Sequence, residues 1–315
     1  MWPLALGGVA LSPNRALAHG APLDRPVGWQ DWNWDPVILL NLVLLFWLYQ
    51  RGWQKLQLGH ASHSGRSSET ARQRLTVPWR RTVLVGAIGV LALALISPLD
   101  LLGEQLGWAH MVQHMVLMTV AAPLLMLAAP GLICLCGLPP AARRLCLAIR
   151  RRLGRDFQRW TWSPLAVWFL YAVATWGWHL PEFYQAALRD PWIHDLQHLT
   201  FFISACLFWR VLLDPMGRRK LAGGLAVLYL FTTTLHATVL GVLMTLAPVA
   251  WYGDYERTVH WWGLSALEDQ QIAGLIMWMP ACATYLIVAI ALFAKALEER
   301  PGELPHPLLR NMVAQ

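Results

Sequence analysis

Charge is scarce in this chain: only 14% of its 315 residues are Asp, Glu, Lys or Arg, while 57% are hydrophobic. Soluble globular domains carry about a quarter charged residues, so a water-soluble fold is excluded. Familiar catalytic signatures are missing as well. There is no G-x-x-x-x-G-K-[ST] phosphate loop, no H-E-x-x-H and no paired C-x-x-C, which removes the usual grounds for nucleotide hydrolysis, zinc proteolysis or dithiol exchange. The five cysteines give no disulfide framework. Cys134, Cys136 and Cys146 lie at or beyond the inner end of one apolar run, and Cys206 and Cys282 fall within others. A net charge of +7 in a soluble protein would point to nucleic acid or acidic lipid. Here the placement of the bases matters more than their sum, and no nucleic-acid partner is expected.

What the chain does have is a series of uncharged runs near the roughly 20 residues that cross a bilayer as a helix. The expected fold is all-α, a polytopic bundle of seven transmembrane helices at about 36–50, 82–101, 110–134, 163–181, 193–212, 221–248 and 270–294. Segments 51–81, 139–160, 210–220 and 295–315 hold 21 of the 25 basic residues. The opposite side holds only Arg15, Arg25, Arg189 and Arg257. Basic loops stay in the cytoplasm, so the N-terminus is expected outside and the C-terminus inside. The organisation read from this is an outer N-terminal segment 1–35, a membrane domain 36–294 and a cytoplasmic tail 295–315. The polar stretch 57–77 reads as a loop. Residues 1–18, with Ala16-Leu17-Ala18 resembling an A-x-A cleavage site, form a signal-like stretch. Nineteen tryptophans, many beside the apolar runs, read as anchors at the water–lipid boundary, and lipid is an implied partner.

The polar exceptions inside the apolar runs are histidines. Of eleven, His60, His63 and His306 fall on the cytoplasmic side and His19 in the outer N-terminal segment. The other seven lie in outer half-spans or outer loops: His110, His114, His179, His194, His198, His236 and His260. Two pairs, His110/His114 and His194/His198, have i,i+4 spacing, which puts each pair on one face of a helix. His236 lies sixteen residues past Lys220, roughly 24 Å from the cytoplasmic end at about 1.5 Å per residue. Met118 continues the first stripe, and Met111 and Met115 flank it. A single interfacial histidine is usually an anchor. Seven in one leaflet point instead to a metal, because imidazole is the commonest metal ligand and thioethers favour Cu(I). Asp195 and Asp269 are candidate orienting partners for the imidazoles, and Asp269 equally suits the N-cap of the last span. Facing histidines also suit axial ligation of haem. A copper or proton transporter is a further reading, although the inner halves of the spans hold almost no ionisable groups.

Four stretches together resemble a known family: "HMVQHMVLMTVAAPLLMLAAP" (110–130), "WHLPEFYQAAL" (178–188), "HDLQHLTFFISACLFW" (194–209) and "LSALEDQQIAGLIMWMP" (264–280). The family is that of the multi-span CtaG-like cytochrome c oxidase assembly factors. The resemblance runs from the second span to the seventh and is loose over the N-terminal fifth. It implies a bacterial plasma (inner) membrane protein, non-catalytic, that helps mature the copper centre of a haem-copper oxidase. Copper, oxidase subunit I and a periplasmic copper carrier are then the expected ion and partners.

Overall fold

The computed structural model describes residues 24–58, 73–154, 160–161, 163–213, 221 and 223–298. The signal-like stretch, most of the polar loop and most of the C-terminal tail lie outside them. Among the described residues there is helix and no strand. The principal helices are α1 (Pro36–Leu58), α2 (Trp79–Leu95), α3 (Pro98–Gln105), α4 (Gly107–Ala128), α5 (Pro130–Gly137) and α6 (Pro140–Arg152). They continue with α7 (Pro164–Trp178), α8 (Pro181–Arg189), α9 (Pro191–Leu213), α10 (Gly223–Thr245) and α11 (Ala266–Glu298).

Proline punctuates the chain. Seven of these helices begin with it, where its missing N–H costs nothing and its fixed φ suits the first turn. Acceptors just before several of them hold the next free N–H groups. Asp35 Oδ1 accepts from Val37 N at 2.6 Å, and Asp190 Oδ1 from Trp192 N at 2.8 Å.

Among the described residues, six helical stretches are long and apolar enough to cross a membrane: α1, the α2–α3 run, α4, α9, α10 and α11. The chain is therefore a multi-pass, all-helical membrane protein. The seventh expected span is shorter than the sequence implies. Its helix, α7, has 15 residues, a rise of about 22 Å against the ~30 Å of a hydrocarbon core. Pro181 is the reason. The residue before a proline is pushed out of the helical region, and Leu180 is extended at φ −64°, ψ 134°, so the chain turns there into α8.

The expected span 110–134 is also interrupted. Ala129 adopts a left-handed conformation (φ 53°) between α4 and α5, leaving carbonyls at the end of α4 without helical partners. The buried Arg80 guanidinium donates to the Leu127 carbonyl, and the Tyr49 hydroxyl donates to that of Ala128 at 3.1 Å. A break of this kind survives at membrane depth only when protein groups satisfy it.

Spans α4 and α9 are the most buried of the six. They carry the paired histidines, and burial among the other helices keeps those rings out of lipid. Helices α10 and α11 cross closely nearby: a Cβ added to Gly274 would lie 2.7 Å from the Gly241 carbonyl oxygen. Trp29, Trp34 and Trp79 are exposed, as boundary anchors should be, whereas Trp53 and Trp209 are core residues. No disulfide joins cysteines among the described residues.

Candidate metal centre

Helices α4 and α9 bring the two histidine pairs together. Ring centroids of His110 lie 5.3 Å from His194 and 5.6 Å from His198, and those of His114 and His198 are 4.9 Å apart. All four rings are buried. One nitrogen from each of His110, His114 and His198 falls within 4.8 Å of the others, a grouping that contains no acid. Three neutral donors converging in this way can hold one ion once small adjustments separate the nitrogens. At present His110 Nε2 and His114 Nε2 are 2.8 Å apart, which requires one proton between them. A bound ion would replace that proton.

Neighbouring groups hold these rings in place. The Tyr255 hydroxyl donates to the Gly103 carbonyl at 3.0 Å and lies 3.3 Å from His110 Nδ1. Its proton being committed, its oxygen accepts Nδ1–H and leaves the His110 lone pair on Nε2. Burial, reinforced by Tyr184, holds the Tyr255 hydroxyl well above the usual tyrosine range, so it stays protonated. Phe201 packs 4.7 Å from the His114 ring and Tyr184 5.4 Å from His110. Tyr184 in turn stacks on Tyr252 at 3.9 Å. Aromatic rings thus pack against the cluster from α8, from α9 and from the loop that carries Tyr252 and Tyr255.

Further polar contacts fix α4 itself. Gln113 donates to Asp100 Oδ1 at 2.6 Å and to the Ala94 carbonyl at 2.9 Å, while Asn33 donates to Asp100 Oδ2 at 2.6 Å. The N-terminal segment is drawn onto the same region, since Gln105 exchanges hydrogen bonds with the backbone of Arg25 and Val27. After His114 the helix widens into a π turn, Val116–Ala121, a feature common at functional sites. Ala122 N bonds back to the Leu117 carbonyl. Continuing that spacing, Pro123 would have to serve the Met118 carbonyl and has no N–H to give. The Trp209 indole serves it instead, at 2.8 Å.

The other expected site residues are distributed more widely. His179 ends α7 beside the cluster, its Nδ1 donating to the Thr175 carbonyl at 2.6 Å. It shares a small cavity with Met118 and His114. His236 does not join them. Its ring packs on Trp168 and Tyr171 at 5.4 and 6.2 Å, eight or more residues down α7 from His179 and so more than about 12 Å along the helix. His260 is exposed in a 3-10 turn against Trp261. Asp195 is half-buried on α9 next to His194. Asp269 caps neither its own helix nor an imidazole: its carboxylate accepts from Gly107 N at 2.7 Å and Trp108 N at 3.1 Å, at the start of α4. Helix α11 is instead capped by Ser265 and Glu268, which exchange side-chain-to-backbone bonds at 2.8 and 3.2 Å. This is the capping box of an S-x-x-E sequence.

Tyr255 and the glutamines escape a reading based on histidines alone. Tyr255 sits in a loop with no periodic pattern to mark it. Gln113 and Gln197 did have a signal: both pairs occur as H-x-x-Q-H, "HMVQH" and "HDLQH", and both glutamines are completely buried.

Comparison with curated proteins and with solved structures finds no match. A family model described as cytochrome c oxidase caa3 assembly factor (Caa3_CtaG) matches residues 62–299. That interval runs from before α2 through α11 and contains every histidine of the cluster. By that match over most of its length, the chain belongs to the cytochrome c oxidase caa3 assembly factor family.

Proposed function

We propose that this assembly factor binds copper, as Cu(I), at His110, His114 and His198 near the outer membrane face, and that it helps mature the copper centre of a haem-copper oxidase. The observation that carries the reading is the approach of three imidazole nitrogens to within 4.8 Å. Neutral donors with no acid among them suit a monovalent ion that must be held and then released. Nitrogens this close favour one ion over haem, whose axial ligands need the macrocycle between them. The role is one of binding and delivery, not catalysis. A periplasmic copper carrier would supply the ion and oxidase subunit I would receive it.

In this reading the protein lies in the bacterial plasma membrane with its basic loops in the cytoplasm, its N-terminus outside and its C-terminus inside. Helix α7 and the turn at His179 complete a seventh crossing. Metal analysis of the purified full-length chain tests the reading. Copper should bind to the wild type and be lost from the cluster on His110→Ala with His198→Ala. A chain that takes up no copper, or a Soret band in the purified protein, would overturn it.

A further inference from the structure

Beside the three-histidine cluster, α4, α7 and α11, with Phe201 of α9 and Ala237 of α10, line a small cavity. Four methionines line it: Met111, Met115 and Met118 from α4 and Met277 from α11. Its other polar side chains are Tyr171, Tyr285 and Thr175, whose hydroxyls bond to one another or to a backbone carbonyl, and two imidazoles. His114, which also belongs to the cluster, and His179 both line the cavity.

His179 has the features of a ligand awaiting an ion. It is buried, and its Nδ1–H is committed to the Thr175 carbonyl at 2.6 Å. Its lone pair is therefore on Nε2, a buried atom without a hydrogen-bond partner among the described residues. Fixing one ring nitrogen on a backbone carbonyl is how proteins present the other to a metal. Leaving the second nitrogen unused in an apolar interior is costly. Methionine often serves as adaptable core filler, but filler alone does not explain an oriented imidazole facing four thioethers.

From this we infer a second Cu(I) site, held by His179 Nε2 and thioethers of Met111, Met115, Met118 and Met277. It rests on the reading of the adjoining cluster as a copper site. Thioether sulfur selects soft ions, and Cu(I) is the soft first-row ion. The donors are all neutral, so the ion keeps its full charge in a poorly solvated cavity. That disfavours a divalent ion, which would bring twice the uncompensated charge. Hard ions such as Mg²⁺ or Ca²⁺ find no carboxylate or carbonyl cage here.

The test loads the detergent-solubilised full-length chain anaerobically with Cu(I) alone and reads metal content and X-ray absorption. Two copper ions per chain, with a sulfur shell beside the nitrogen shell, are expected. His179→Ala combined with Met111→Leu and Met277→Leu, exchanges that nearly conserve volume at the methionines, should remove one ion and the sulfur shell. The second ion should remain, bound by nitrogen only. Conversely, His110→Ala with His198→Ala should leave the sulfur-ligated ion in place. One ion per chain with nitrogen ligation alone in the wild type overturns the second site and leaves the first standing. Loss of both ions from either variant set overturns the separation into two sites. No copper at all overturns both readings. The wild-type spectrum decides the presence of sulfur even if a variant fails to accumulate.

Discussion

Asp269 and Gly107 stand 162 positions apart in the chain, yet the carboxylate of one accepts the backbone N–H of the other at 2.7 Å. The first turn of the helix that carries His110 is thus fixed by the first turn of the last membrane helix. A negative charge at a helix N-terminus also interacts favourably with the helix dipole. Because His110 is only three residues beyond Gly107, the position of its ring depends on this contact.

Replacing Asp269 should accordingly be felt in stability. Asp269→Ala leaves one buried and one part-buried N–H group without this acceptor, a cost of about 1–3 kcal/mol. Thermal unfolding in detergent should begin roughly 2–5 °C lower. Asp269→Asn, which keeps one acceptor oxygen, should lose less. Equal stability of wild type and Asp269→Ala would show that water replaces the cap.

The orienting hydroxyl of Tyr255 makes a more selective prediction. Tyr255→Phe preserves the ring packing and removes the partner of His110 Nδ1. Partners of this kind contribute about 10–100-fold to metal affinity. Cu(I) affinity measured by competition with a chromogenic chelator should therefore fall about tenfold or more. A fall of less than twofold would assign Tyr255 to packing alone.

In cells, His110→Ala with His114→Ala, and His194→Ala with His198→Ala, should each abolish oxidase activity while the protein still accumulates in the membrane. Full activity in both strains would remove the cluster from the assembly role. Disappearance of the protein would identify the histidines as structural.

His236 and His260 supply the internal controls. The first packs on Trp168 and Tyr171 and the second is exposed on a turn. Neither substitution to Ala should change the copper bound per chain. A lost ion in either variant would show that these rings reach the site in solution.

Topology is open to a direct check. In a background lacking the native cysteines, Arg189→Cys and Glu256→Cys should react with a membrane-impermeant thiol reagent in cells whose plasma membrane is intact. Arg144→Cys should react only after lysis. The reverse pattern would invert the protein and place the cluster on the cytoplasmic side.

The helical class and six of the crossings are legible in the sequence because long uncharged runs have few alternatives in lipid. The two i,i+4 pairs are equally legible, since helical spacing fixes a common face before any tertiary contact is known. Distances between helices are a different matter. His236 lies in the expected half of its span by counting from Lys220, yet its ring packs on Trp168 and Tyr171 of α7 and not on the cluster. Asp269 looked suited to cap its own helix because that helix begins nearby. Ser265 and Glu268 fill that role locally, which frees the aspartate for a helix far away in the chain. Tyr255 could not have been found, because nothing in a loop's sequence states which ring its hydroxyl will meet.

The wide turn at Val116–Ala121 has a consequence for how this chain can change over time. A π turn is an α-helix that has absorbed one additional residue. Measured against an uninterrupted α-helix of the same number of residues, its flanking segments are offset by the about 100° that one residue contributes. Rewinding 116–121 as ordinary α-helix without removing a residue would therefore swing the histidine-bearing half around relative to the half ending at Ala129, and the imidazoles would no longer aim at α9. Removing one residue together with the widening would leave both halves in their present phase. In this stretch residue count and winding are tied together: a one-codon deletion that closes the π turn preserves the aim of the imidazoles, whereas a change of winding alone does not.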